Sequence, residues 1–146
     1  MKHTHLRDDF SMVDMTYLSD QKGWQAQYKT MIAYGRCISS KPWLRTEENK
    51  LAGCELPTWL NVACVEQKYW YDFDSDSRVI NGLVALILAP LQGRPREFVT
   101  AEAIMQPLIA LGIDRHITPS RNNGLVAISR AIEQATREPF DVARDI

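Results

Sequence analysis

The alternation of apolar and polar residues divides the chain into segments of different period. Residues 1 to about 20 hold two His, three Met and several charges without a sustained repeat, and read as a loosely attached N-terminal segment with room for one short helix. From Trp24 onward, Trp24, Tyr28, Met31, Ile32, Gly35 and Ile38 recur at helical spacing with Gln25, Gln27, Lys29 and Arg36 on the other side, which predicts an amphipathic helix. Pro42 ends it. From Lys41 to Pro57 the period is lost, Gly53 and two prolines intervene, and the stretch reads as a long loop with a short extended piece near Lys50. Loops of this length inside a compact domain are commonly functional, and Trp43, Leu44 and Leu51 are residue types that would keep this one ordered.

Trp59 to Val65 is rich in strand formers, and Tyr69 to Asp74 alternates Tyr69, Tyr71 and Phe73 with Trp70, Asp72 and Asp74. The two runs predict an antiparallel hairpin turning around Glu66, Gln67 and Lys68. Arg78 to Leu91 is apolar nearly all round (Val79, Ile80, Leu83, Val84, Leu86, Ile87, Leu88), the pattern of a buried helix, with Gly93 and Pro95 to terminate it. Thr100 can cap a helix that runs to Leu111, interrupted by Pro107 and closed by Gly112. Thr118 and Pro119 form an N-cap and first-turn pair for a last helix that turns Leu125, Ile128 and Ile132 inward through about Thr136. The expected class is α+β, a small antiparallel sheet packed against helices. With no repeat and no Gly/Ser- or Pro-rich linker, residues 1–146 read as one domain with a polar tail over 137–146.

Composition sharpens this picture. With 45% hydrophobic and 24% charged residues, the 146-residue chain has the makings of a normal core and surface, which excludes a disordered chain. Basic and acidic residues nearly cancel, to a formal net charge of -1, and no block of Lys and Arg stands out, so a nucleic-acid partner is not expected. The N-terminus meets Asp8 and Asp9 where a secretory signal would be apolar, and the run Leu83 to Leu91 is far too short to span a bilayer. Cys37, Cys54 and Cys64 are odd in number and irregular in spacing, unlike a disulfide framework. These features together predict a cytoplasmic protein with no membrane association.

Several kinds of chemistry lack their motifs. The chain has no phosphate-binding Gly loop, Gly-flanked Ser elbow, closely spaced Cys pair or helical His pair. Cys54 is the candidate nucleophile: it follows Gly53 in the long loop, and Arg45 and Lys50 nearby in sequence favour its thiolate while Glu55 opposes it. On these residues alone an unreactive, packed thiol, the commonest fate of a free cysteine, is the favoured reading. Cys64 within a strand and Cys37 near a helix end read as packing residues.

The segment Arg45-Thr46-Glu47-Glu48-Asn49-Lys50-Leu51-Ala52-Gly53-Cys54 resembles the active-site loop of the SufE/CsdE family of sulfur acceptors for cysteine desulfurases. Asp74-Ser75-Asp76, the apolar helix Val79 to Leu88, and His116-Ile117-Thr118-Pro119-Ser120-Arg121 followed by Gly124 resemble further family segments in the same order. The resemblance covers roughly Trp24 to Ala135. After the cysteine, Glu55 leans toward the CsdE branch, whereas Leu56 and Pro57 make this loop stiffer and less polar than is usual for the family.

The resemblance implies a SufE/IscU-like fold and a carrier that takes sulfane sulfur onto Cys54 from a SufS/CsdA-like desulfurase. It would enhance that enzyme's activity and pass the sulfur on to iron-sulfur cluster assembly. No cofactor of its own is implied, since pyridoxal phosphate belongs to the desulfurase, and no metal. The loop would fold back and place Cys54 in an apolar recess, for which Leu51, Leu56 and Trp59 are the candidate lining. Arg121 matches a family position and would stabilise thiolate or persulfide charge or pair with loop carboxylates; a first-turn surface Arg is the alternative. Glu47 and Glu48 would fix the loop or bind the partner, or simply be solvated. Asp74 and Asp76 are expected to end the strand and cap the Arg78 helix, and His116 to be structural. Two other readings stand beside this one: a regulatory module that activates a desulfurase without accepting sulfur, and an IscU-like iron-sulfur scaffold ligated by Cys37, Cys54, Cys64 and His116 or an Asp.

Overall fold

A computed structural model describes residues 7–137, apart from the side chain of Asp114. What the sequence suggests for residues 1–6 and 138–146 lies outside the described residues. The elements are α1 (Met15–Ser19), α2 (Trp24–Tyr34), β1 (Thr58–Val65), β2 (Lys68–Ser75), α3 (Arg78–Leu88), β3 (Arg94–Pro95), α4 (Ala101–Ala110) and α5 (Pro119–Arg137), joined by short 3-10 turns. The strands form one antiparallel sheet in the order β1-β2-β3. This is the expected α+β class.

The core is built around α3. Its residues Val79, Ile80 and Leu83 to Leu88 are buried, and it packs against α2, α4, α5 and β2, which is why its sequence is apolar on every side. Backbones touch where α2 crosses it: a Cβ on Gly35 would lie 2.7 Å from the Gly82 nitrogen, and one on Gly82 2.7 Å from the Met31 oxygen. At that crossing the α-helix tightens into a 3-10 turn, Gly35–Cys37, so α2 stops at Tyr34 short of the expected Ile38. α3 likewise stops at Leu88, with Ala89 as its cap, because Pro90 has no N–H for the next helical bond. Ser77 caps its start by accepting from the Ile80 N–H at 3.1 Å. Asp74 and Asp76 therefore do not play the capping role expected of them, and β2 runs on through Ser75.

The hairpin is in the expected place, with β1 and β2 paired from Thr58↔Ser75 to Val65↔Lys68. Its two turn residues, Glu66 and Gln67, both take left-handed φ (53° and 69°), the mirror-image turn whose twist suits two strands. α4 and α5 begin as predicted: the Thr100 and Thr118 hydroxyls accept from Ala103 and Arg121 N–H at 3.0 and 3.3 Å. The left-handed Gly112 follows α4.

The N-terminal segment departs from expectation. Asp8, Phe10 and Leu18 are buried, and Asp8 is ion-paired with Lys41, the two side chains only 4% and 3% exposed. The Lys41 ammonium also donates to the Ser39 and Phe73 carbonyls, each at 2.8 Å, so all three of its N–H bonds are met. A lysine sunk this deeply needs a carboxylate, and that need ties residues 7–20 to the body. Among the described residues no helix is long and apolar enough to cross a membrane.

Candidate functional site

The long loop is held at both ends and exposed at its tip. At its entrance, Asp74 accepts from the Lys41 backbone N–H at 2.8 Å and from Arg45 Nε at 3.0 Å, while Arg45 Nη2 reaches Asp76 at 2.9 Å. The same guanidinium lies over the Trp59 ring, 4.5 Å from its centre. Asn49 stitches the next turn by donating to the Leu44 carbonyl and the Thr46 hydroxyl. On the exit side Lys50 bridges to Trp59, and the Leu51 N–H donates to the Thr58 carbonyl at 2.8 Å, so the chain joins the edge of β1. Residues 52–57 form the tip, and of these only Cys54 is not exposed.

Gly53 turns that cysteine inward. Its φ of +88° is one that side-chain-bearing residues avoid, and a Cβ there would lie 3.4 Å from the Cβ of Ala127 on α5. Cys54 enters a cleft of about 360 Å3 formed by the tip, the start of β1, the first turn of α3 and the first turns of α5. The apolar part of its wall comes from Ile80, Ile128 and Leu56; the polar part from Thr58, Ser77, Thr118, Ser120, Glu55 and Arg121. The thiol faces the Gly124 carbonyl at 4.0 Å, long even for a sulfur donor. Burial pushes the Cys54 thiol up from its ordinary value, and the Thr58 side chain works weakly against that shift.

The sequence-predicted residues fall into three groups. Cys54, Glu55 and Arg121 meet in the cleft, and Gly53 shapes its approach. Arg121 is half-buried there, and its guanidinium has no hydrogen-bond or ion-pair partner among the described residues. Glu47 and Glu48 lie on the 3-10 turn Glu47–Asn49, exposed and away from the cleft. Two expectations need correction. Arg45 and Lys50 do not attend the sulfur, because Arg45 is committed to Asp74 and Asp76 and Lys50 stays exposed at the loop's base; the thiol's pKa is accordingly raised by burial instead of lowered by cations. Of Leu51, Leu56 and Trp59, only Leu56 lines the cleft.

Sequence reasoning missed Ile80, Ile128 and Thr58 as site residues. The two isoleucines were legible as inward helix positions, and their place in one wall comes from α3 and α5 packing side by side. His116 stacks on Trp24, ring centres 4.4 Å apart, and so holds the approach to α5 against α2. Cys64 is buried in β1 and Cys37 half-buried after α2, where burial and then Asp8 and Asp9 raise its pKa. Among the described residues, no three or more His, Cys, Asp or Glu side chains gather as a metal site.

Comparison with known proteins gives a consistent picture. The family model described as SufE, Fe-S metabolism associated domain, matches residues 15–136. The sulfur acceptor protein CsdE of Escherichia coli (strain K12) is 30% identical over 117 residues, covering 79% of this chain and 80% of that protein. A SufE-like protein of Rhizobium meliloti (strain 1021) is 28% identical over 131 residues, 86% of this chain and 88% of its own. In three dimensions the chain is similar to the solution structure of a hypothetical protein from Thermus thermophilus, with a TM-score of 0.67, 17% identity, and coverage of 84% and 90% of the two chains. That last likeness concerns the fold.

Proposed function

The chain belongs to the SufE family, and from that membership and the cleft we propose that it is a sulfur acceptor that takes sulfane sulfur onto Cys54 from a cysteine desulfurase. The observation that carries the assignment is the loop tip itself. Of residues 52–57, the one turned inward is a cysteine, and the cleft that receives it also holds the Arg121 guanidinium, which has no partner among the described residues.

In the proposed reaction, the Cys54 thiolate attacks the outer sulfur of a persulfide carried by the desulfurase cysteine. A new S–S bond forms to Cys54, the old one breaks, and the desulfurase cysteine leaves as thiolate, so no external electrons are needed. In the withdrawn position, desolvation keeps the thiol protonated and poorly nucleophilic. Moving the tip out of the cleft removes that penalty, so extension toward the partner is itself the activating step. On return, the apolar wall of Ile80, Ile128 and Leu56 shields the labile sulfur, and Arg121 balances its charge.

This chemistry asks for no cofactor here; pyridoxal phosphate is the desulfurase's. The partner is a SufS/CsdA-like enzyme whose turnover rises as its persulfide is removed. The sulfur then passes to iron-sulfur cluster assembly in the cytoplasm.

Incubation with desulfurase and cysteine, followed by mass spectrometry, should show one added sulfur atom on the Cys54 peptide and none in Cys54→Ser. A regulatory module without transfer would still stimulate the desulfurase as Cys54→Ser, and that result would replace the acceptor reading. An iron-sulfur scaffold needs converging ligands, and the described cysteines lie on a loop, a strand and a helix end.

A further inference from the structure

The long loop begins at a lysine that is out of water. Lys41 is 2% exposed and docks on two neighbouring residues of β2: its backbone N–H donates to the Asp74 carboxylate and its ammonium to the Phe73 carbonyl, each at 2.8 Å. The same Asp74 oxygen takes Arg45 Nε at 3.0 Å, and the Arg45 guanidinium lies over Trp59, where the loop returns to the sheet. Lys41 is therefore the first link in the chain of contacts that holds the loop's entrance.

Its counter-charge comes from neither the loop nor the sheet. Asp8 pairs with the ammonium through one carboxylate oxygen, and with the other accepts from the Ser39 hydroxyl at 2.8 Å and the Ser39 N–H at 3.3 Å. Phe10 anchors the same segment in the core, and Arg7 lies over Trp70, 4.9 Å from its ring centre. The family model matches residues 15–136, so Asp8 stands ahead of the matched region and Lys41 within it.

A buried ion pair adds little stability over apolar side chains of similar size, but removing one partner strands the other. A methionine at position 41 would dock unconditionally; a lysine docks only while Asp8 is in place. We propose that Asp8 and Lys41 are positioning residues for Cys54: the segment that carries Asp8 braces the loop's entrance against β2, so that Cys54 is tethered from both sides. Without the brace the loop is held by its exit alone, through Lys50 and Leu51 on the edge of β1. The part of this inference that concerns sulfur delivery rests on the acceptor function proposed above; the brace itself does not.

The experiment compares wild type, Asp8→Ala and Asp8→Ala/Lys41→Met. Trypsin cleavage after Arg45, at the entrance, is measured against cleavage after the exposed Lys29 on α2 and Arg130 on α5. Where opening equilibrates faster than cutting, cleavage tracks the open population, and loosening of the entrance in Asp8→Ala should speed the cut after Arg45 by about tenfold relative to the two controls. The double variant should return to the wild-type ratio, because methionine needs no counter-charge. Equal acceleration at all three sites marks general unfolding and overturns the proposal, as does no acceleration after Arg45 or a double variant that stays as open as the single one. Asp8→Asn, which keeps an acceptor oxygen for Ser39 and removes the charge, replaces Asp8→Ala if that variant does not fold.

The second arm follows sulfur loading of Cys54 against desulfurase concentration. A loop held at one end loses more freedom on docking, so the half-saturating concentration should rise several-fold in Asp8→Ala and fall back in the double variant. A half-saturating concentration that stays at the wild-type value while the entrance opens would overturn the positioning role. Failure of wild type to load sulfur at all overturns the acceptor function instead, and the cleavage comparison, which needs no desulfurase, still decides the brace.

Discussion

Gly53→Ala isolates the free energy that keeps the loop tip withdrawn. At φ +88° an alanine costs roughly 1–2 kcal/mol relative to glycine. Its methyl group would stand 3.4 Å from the Cβ of Ala127, at the short end of ordinary van der Waals contact, so the penalty comes chiefly from the backbone conformation. The strain falls on the withdrawn state in particular, because Ala52, Glu55, Leu56 and Pro57 are exposed and Cys54 alone anchors the tip from inside. A penalty of about 1–2 kcal/mol should raise the population of the open tip by roughly 5–30-fold. When opening equilibrates faster than chemistry, modification of Cys54 by a bulky maleimide reports that population directly, so its rate should rise by the same factor. Thermal unfolding should change less than the full penalty, since the tip escapes the strain by opening. A variant that unfolds earlier by the whole amount while labelling at the wild-type rate would refute the reasoning, because it would mean that the tip does not move apart from the core.

The remaining predictions concern other parts of the site and its supports. Arg121→Ala should slow sulfur loading at saturating desulfurase, with Arg121→Lys recovering the part that depends on charge alone; a variant that only needs more desulfurase to reach the same rate would make Arg121 a docking contact. Cys37→Ala and Cys64→Ala should each load sulfur normally at a stability cost of about 1–2 kcal/mol, measured by urea unfolding; a folded Cys64→Ala protein that accepts none would require a second thiol in the mechanism. Asp8→Ala leaves the buried Lys41 ammonium with two carbonyls and no counter-charge, and should cost about 3–5 kcal/mol. The double variant Asp8→Ala/Lys41→Met should regain most of that loss in the same denaturation experiment, and no gain over the single variant would show that the ion pair is not what binds residues 7–20 to the body.

How much of this was legible in the sequence follows from the range over which each feature is decided. The apolar circumference of α3, the aromatic alternation of β2, and the Thr100 and Thr118 caps are written within a turn or two of chain, and the structure has each where the pattern puts it. The attachment of Asp8 to Lys41 spans 33 residues, and no local period carries it. β3 is only Arg94–Pro95, with nothing in its composition to mark a strand; Tyr69 and Lys68 supply its register from β2. The site shows the same division. Arg45 looks like a cation for Cys54 because it is near in sequence, yet its carboxylates lie 29 and 31 residues away on and just beyond β2. Leu51 and Trp59 look like the walls of a recess for the same reason, and the walls come instead from Ile80 and Ile128 on two helices.

That exchange of near neighbours for distant ones reverses the sign of the electrostatics at the sulfur. A thiol flanked by free Arg and Lys would be a standing nucleophile, open to any electrophile or oxidant it met. In the folded chain Arg45 is spent on holding the loop's entrance, Lys50 stays in solvent at its base, and the burial of the sulfur in the cleft raises its pKa. On the proposed function, reactivity then belongs to the position of the tip more than to the residues beside Cys54. In the withdrawn state burial suppresses the thiolate; away from the cleft the same residue returns to ordinary thiol chemistry. A carrier that must be inert between encounters and reactive during them gains from such an arrangement, since docking alone supplies the change. On the proposed function, the hydrogen bonds that hold the entrance at Arg45 and the exit at Leu51 would confine the tip's motion to residues 52–57, so that the sulfur changes environment while the sheet and α3 stay as they are.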